Sequence, residues 1–147
     1  MDIKRTIDID ATADTVWSIM ADVERWPEWT ESIKDVQRLD KSQFGLGSRV
    51  RIQQPRLPTA EWTVTELEPQ RYFAWTNVST GLKSVGGHRV ESTGPRSARV
   101  ILSVDWSGWL APLVRLVYGK LSRGYVDMEA EGLKHRAEAA STESVAR

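Results

Sequence analysis

The chain has 147 residues, with 20 Lys+Arg against 20 Asp+Glu and a formal net charge of zero. That length fits one domain with a core that needs no staples. With no cysteine, disulfides, thiolate metal sites and thiol nucleophiles are excluded, and the balanced charge gives no global field to attract nucleic acid or an anionic membrane, though a local basic patch is allowed.

Met1 is followed directly by charged residues, without a signal-peptide core. No apolar run approaches the roughly 18 residues of a membrane span. The expected location is the cytoplasm, which the absence of cysteine fits. Seven tryptophans are the compositional oddity. Two explanations are compatible: solid core packing, or an apolar cavity walled by indoles.

In chain order, Ile3, Arg5, Ile7 and Ile9 alternate with Lys4, Thr6 and Asp8, a half-buried strand with one charged interruption. Thr12 or Asp14 can cap a short helix carrying Val16, Trp17, Ile19 and Met20. Pro27 ends that helix or opens another. Residues 33–39 read as a second strand, and Val50 and Ile52 belong to a third that stops at Pro55. Trp62 and Val64 alternate with Thr63 and Thr65. Residues 72–78 are densely β-prone, with both faces apolar. Residues 83–92 are weaker, because Gly86 and Gly87 interrupt them as a bulge would. Ala98, Val100, Leu102, Val104 and Trp106 form the cleanest alternation of all.

From Leu110 to about Ala140 the pattern changes to steps of three and four. Leu110, Leu113, Val114, Val117, Leu121, Tyr125 and Met128 read as one apolar stripe of a long helix, with Pro112 in its first turn. Gly119 and Gly124 lie inside it, either packed against the sheet, simply tolerated, or leaving room for a ligand. Residues 141–147 lack periodicity and read as a disordered tail. Strands followed by one long helix imply α+β, with the helix on one face of an antiparallel sheet.

The opening IDIDATADTVWSIMADVERWPEW, the FGLGSRVR loop and strand, AEWTVTELEPQRYFAW, and the terminal WLAPLVRLVYGKL and EGLKHRAEA segments resemble the helix-grip superfamily, also called START-like or SRPBCC. The resemblance is closest to its polyketide cyclase/dehydrase-like branch and covers residues 1–140 as a single domain. It implies a curved antiparallel sheet of about seven strands around the C-terminal helix, two short helices after the first strand, and an internal cavity for apolar or amphipathic molecules. It implies no universal catalytic residue.

On that frame Val50, Ile52, Trp62, Phe73, Trp75, Val90, Leu102 and Trp106 are expected to wall a cavity, with Val117, Tyr118, Leu121 and Tyr125 facing it from the helix. Asn77 would orient a ligand by hydrogen bonding. His88, Glu66 and Tyr118 are the candidate acids or bases. Glu66 shares parity with Trp62 and Val64, which would bring it inward, or it emerges at the strand's end. His88 is inward if it shares the face of Val90, and is otherwise a structural or solvent-facing residue. Gly45 and Gly47 read as a hairpin loop, because a phosphate-binding loop needs Lys-Ser/Thr on a following helix. His88 and His135 are far apart and lack metal-ligand spacing, so no metal and no cofactor is expected.

The first functional expectation is binding of a hydrophobic or aromatic small molecule between sheet and helix. It requires an enclosed space above roughly 300 Å³. The second is a polyketide cyclase/dehydratase-type enzyme using an acid or base in that cavity. The third is a protein-interaction module built on exposed Trp26 and Trp29. The expected partner is an apolar or amphipathic small molecule, with no nucleic acid and no membrane span, in a monomer or homodimer.

Overall fold

In the computed structural model, which describes residues 2–146 with side chains through Thr142, seven strands form one antiparallel sheet in the order β1-β7-β6-β5-β4-β3-β2. They are β1 (Ile3–Ile9), β2 (Asp35–Arg38), β3 (Arg49–Gln53), β4 (Ala60–Glu68), β5 (Tyr72–Ser79), β6 (Leu82–Gly94) and β7 (Ser97–Ser107). Between β1 and β2 lie α1 (Ala13–Ala21) and a 3-10 helix at Val23–Glu28. The long helix α2 spans Ala111–Ala146. This is the helix-grip fold.

Period-2 alternation puts one set of side chains inside. Ala98, Val100, Leu102 and Trp106 of β7 are buried, while Arg99 points outward to pair with Asp8 at 2.9 Å. On β1, Ile3, Ile7 and Ile9 are buried. The charged interruption between them, Arg5, reaches Glu131 of α2 at 2.9 Å. At the start of α1, the Thr12 hydroxyl accepts from the Thr15 N–H at 3.1 Å, satisfying a donor that the first turn leaves open. The helix buries Val16 and Met20.

Three local expectations need correction. Gly86 and Gly87 do not interrupt β6, which pairs continuously with β5 across them; its irregularity is at Ser92 and Gly94. A Cβ at Gly86 would lie 2.9 Å from the Trp75 indole, and one at Gly87 2.5 Å from the Ser103 hydroxyl. These glycines make room for side chains of neighbouring strands. The helix also continues beyond Ala140 to Ala146, so residues 141–146 extend α2; the rest of the expected tail, Arg147, lies outside the described residues. Finally, the apolar stripe of α2 divides. Tyr125, Val126, Ala130 and Leu133 are buried, but Leu113, Val117 and Met128 are exposed.

Neither Gly119 nor Gly124 packs closely, since a Cβ at either would meet no atom within 4 Å. The close approach is at Gly132, where a Cβ would lie 2.0 Å from the Trp29 carbonyl oxygen. α2 rests mainly on β1, β7 and α1. The inner face of β3 to β5 therefore lies opposite the side of the helix that has less to pack against.

Candidate functional site

The inner face at β5 and β6 is aromatic. Register places Phe73 opposite His88 and Trp75 opposite Gly86. The His88 ring stacks on Phe73 with centroids 4.2 Å apart and planes 13° apart. Trp75 and Trp26 approach it edge-on at 5.0 and 5.4 Å. Trp26 comes from the 3-10 helix, held by its indole N–H donating to the Met20 carbonyl at 3.0 Å. Glycine at 86 lets the Trp75 ring lie flat across the neighbouring strand.

These walls border a partly open pocket of about 70 Å³, lined by Trp26, Ile33, Ile52, Gln54, Trp62, Trp75, Gly86, His88 and Glu129. Two titratable groups meet there. His88 is buried, and its Nδ1 lies 3.3 Å from the Phe73 carbonyl oxygen. A carbonyl only accepts, so this nitrogen carries the proton. Nε2 then presents a lone pair with no hydrogen-bond partner among the described residues. Burial pushes the imidazole pKa down to about 4, against the opposing effect of that hydrogen bond. The ring is neutral at pH 7.

Glu129 comes from α2. The residue is half-buried, and burial pushes its carboxyl pKa up to about 8. Water at the cavity edge moderates that rise, and its direction is set by the indoles around it. Among the described residues it has no hydrogen-bond or ion-pair partner. Glu129 is thus a protonated acid and His88 a neutral base lining one indole-walled pocket, an arrangement common at functional sites.

The void is far below the 300 Å³ expected of a ligand cavity. At about 70 Å³ it holds a few waters, so in this state the space between sheet and helix is largely filled by interlocked indoles. The Tyr125 hydroxyl of α2 donates to the Pro55 carbonyl in the turn after β3, next in sequence to Gln54 of the lining. Larger depressions, of about 230 and 290 Å³, lie on the outer face of the sheet around Glu66, Tyr72 and Arg89. These are surface grooves edged by long side chains. The Arg89 guanidinium covers the Tyr72 ring at 4.5 Å, and burial, with the Glu66 carboxylate second, pushes the phenol pKa up to about 12.

Of the residues singled out from sequence, Ile52, Trp62, Trp75 and His88 reach the inner cavity. Val50, Phe73, Val90, Leu102 and Trp106 are buried on the same face but are packed around it. Tyr125 is buried but is not among the residues lining the pocket. Tyr118 and Leu121 are half-buried and Val117 is exposed, all outside the cavity lining. The Asn77 amide donates to the Glu61 carbonyl at 2.8 Å. Glu66 faces outward, because a bulge between Val64 and Glu66 reverses the parity of β4 and puts Leu67 opposite Phe73. Trp26 is 2 % exposed and Trp29 is half-buried, so the first of the two rings is withdrawn from the surface.

Sequence reasoning missed Trp26, Ile33, Gln54, Gly86 and Glu129 as lining residues. For Glu129 a signal existed. It lies four residues after Tyr125 and four before Leu133, both on the buried stripe.

Solved structures share this architecture. A START superfamily protein from Mycobacterium smegmatis is 20% identical with a TM-score of 0.75, the match covering 94% of this chain and 97% of that one. The Zhui aromatase/cyclase from Streptomyces sp. R1128 is 21% identical with a TM-score of 0.69, covering 92% of each chain. Norcoclaurine synthase from Thalictrum flavum, solved with dopamine and hydroxybenzaldehyde, is 12% identical with a TM-score of 0.70, covering 90% of this chain and 83% of that one. At such identities the likeness is one of fold. No curated protein matches the chain. The sequence pattern of one family extends from the first strand almost to the end of the buried part of α2, and over residues 1–138 the chain belongs to the polyketide cyclase / dehydrase and lipid transport family.

Proposed function

We propose that this protein binds a small aromatic or otherwise hydrophobic molecule between the inner face of the sheet and α2, with the molecule's polar end on Glu129 and His88. The observation that carries this reading is the Glu129 carboxyl, unpartnered within an aromatic wall. A ligand hydroxyl or carbonyl placed in the pocket would supply a hydrogen bond that this carboxyl lacks among the described residues. At about 70 Å³ the pocket is smaller than such a ligand, so binding requires the indoles or α2 to shift as the ligand enters.

Native mass spectrometry of protein from its own cells should reveal a retained small molecule. In vitro, 2-naphthol serves as a probe. Its binding should weaken roughly tenfold in Glu129→Leu, the loss of about one hydrogen bond, and should decline above about pH 8 as the carboxyl ionises. Absence of any retained molecule together with absence of naphthol binding removes the proposal.

The pairing of an acid with a base favours a second reading, proton transfer to and from an aromatic or polyketide-like ligand. Protonated Glu129 would donate to a departing or enolising oxygen while the His88 Nε2 lone pair accepts a proton from carbon or oxygen. A Glu129→Gln, His88→Gln double variant that binds 2-naphthol normally and turns over an aromatic polyketide precursor at the wild-type rate would sink this reading alone.

A further inference from the structure

The first third of α2 presents an apolar face to solvent. Leu113, Leu116 and Val117 are 55, 82 and 58% exposed. Their spacing of three and four places them on one side of the helix, away from the half-buried Val114, Tyr118 and Leu121. Trp109, just before the helix, is 74% exposed, and Val78 on the β5–β6 hairpin is 73% exposed. An outward helix face is ordinarily polar, and a cluster of this size marks a contact surface.

Trp109 is not a loose side chain. Its ring lies against Gly81, where a Cβ would be 2.5 Å from it, and the following Leu110 N–H donates to the Gly81 carbonyl at 2.9 Å. The hairpin and the entry to α2 therefore form one rigid end of the molecule, with an indole held out into water.

Between Asp105 and Asp127 the charged residues are all basic: Arg115, Lys120 and Arg123. Arg115 is taken up by Asp2 at 2.7 Å. Lys120, Arg123 and the hairpin's Lys83 have no ion-pair partner among the described residues. Lys120 continues the outward face one turn beyond Leu116 and Val117.

We propose that this end docks on an anionic lipid surface. Trp109 would sit at headgroup level, Leu113, Leu116 and Val117 would enter the boundary with the acyl chains, and Lys83, Lys120 and Arg123 would meet lipid phosphates. An amphipathic helix lying in the interface has this composition, with aromatic and aliphatic residues on one side and basic residues around them. A second copy of the chain fits less well. A two-fold contact would bring the same patch of each copy together and set Lys120 and Arg123 against their own counterparts, since Asp127, one turn beyond Arg123, is engaged by Arg5 at 4.0 Å.

The test is co-sedimentation of the full chain with vesicles of phosphatidylcholine alone and of phosphatidylcholine mixed with phosphatidylglycerol, at low and high salt. The wild type should pellet with the mixed vesicles and be released by salt. Lys120→Gln and Arg123→Gln should each lower partitioning roughly fivefold. Leu116→Glu, at a site 82% exposed and therefore compatible with a normal thermal melt, should abolish pelleting. Three results would overturn the proposal: a wild type that stays in the supernatant with anionic vesicles, pelleting unchanged in Leu116→Glu, or a concentration-dependent dimer in sedimentation velocity that Leu116→Glu dissociates while vesicles bind neither form.

Discussion

Replacing Glu129 by glutamine keeps the side chain's shape and removes its titration, and the resulting change in stability depends on pH. The carboxyl pKa rises from 4.5 to about 8 on folding. Between those values the folded protein holds a proton that the unfolded chain has released, so stability falls as pH rises. At about 1.36 kcal/mol per pKa unit, the full fall is about 5 kcal/mol, of which about 3 kcal/mol is reached by pH 7. Glu129 is half-buried as a residue, and screening by water reduces the figure; about 1–3 kcal/mol at pH 7 is the expected range. His88 acts in the opposite sense. Its pKa is lowered from 6.5 to about 4, so the unfolded chain binds the extra proton and stability rises with pH across that window. In the wild type the two slopes oppose each other between 4.5 and 6.5. Above that window Glu129 acts alone. The His88 contribution is common to wild type and Glu129→Gln and cancels in their difference. Urea unfolding followed by tryptophan fluorescence, from about pH 5 to about pH 9, should therefore show Glu129→Gln gaining stability over the wild type steadily with pH. Two parallel curves would refute the reasoning, since they would mean that the carboxyl is as well solvated in the fold as out of it.

Three helix substitutions give a contrasting set. Gly132→Ala drives a methyl group to 2.0 Å from the Trp29 carbonyl oxygen, and because that atom is backbone the loss should be about 1–3 kcal/mol or more in thermal or urea unfolding. Gly119→Ala and Gly124→Ala meet no atom within 4 Å and should each stabilise by roughly 1 kcal/mol, from helix propensity alone. Thr12→Ala removes the cap that accepts the Thr15 N–H and should cost about 1 kcal/mol.

The strands were legible wherever one face is apolar and the other is not. Residues 98–106 announce both a strand and its inward side, and the structure buries Ala98, Val100, Leu102 and Trp106 as that pattern requires. Residues 72–78 announce the strand and conceal the side, because Tyr72, Ala74 and Val78 are as apolar as Phe73 and Trp75. Only pairing with β6 decides it. Glu66 shows what alternation misses: one extra residue at a bulge moved it to the outer face, and no local composition marks that insertion. The glycines of β6 were read as weakness in their own strand, when the cause lies across the sheet in Trp75 and Ser103. Along α2 the apolar residues serve two surfaces. Counting Leu113, Val117 and Met128 into one stripe concealed the outward face, and Glu129 went unread although its spacing from Tyr125 and Leu133 is that of the buried side.

The cavity's small size is explained by how unevenly α2 is held. Toward β1 and the first helices the helix is anchored repeatedly: Glu131 to Arg5 at 2.9 Å, Lys134 to the Asp8 carbonyl at 2.9 Å, Glu138 to the Asp10 N–H at 2.9 Å, and Arg136 to Glu28 at 2.8 Å. Toward residues 33–79 its one hydrogen bond among the described residues is from the Tyr125 hydroxyl to the Pro55 carbonyl. The acceptor's turn carries its own strain, since Arg56 has φ 67, a conformation that costs a non-glycine residue about 1 kcal/mol or more. Pro55 adjoins Gln54 of the pocket lining, so a guest larger than about 70 Å³ that enters from this side is expected to separate these partners, and their hydrogen bond should oppose opening while adding little else. Tyr125→Phe keeps the ring packed and removes the bond. A net hydrogen bond is worth about 1 kcal/mol, which raises the opened population roughly fivefold if the bond exists only in the closed state. The association rate of 2-naphthol, measured by stopped-flow fluorescence, should rise by that factor, with unfolding stability lowered by no more than about 1 kcal/mol. An unchanged association rate alongside the stability loss would make this bond a fastening of the fold and would locate the entrance elsewhere.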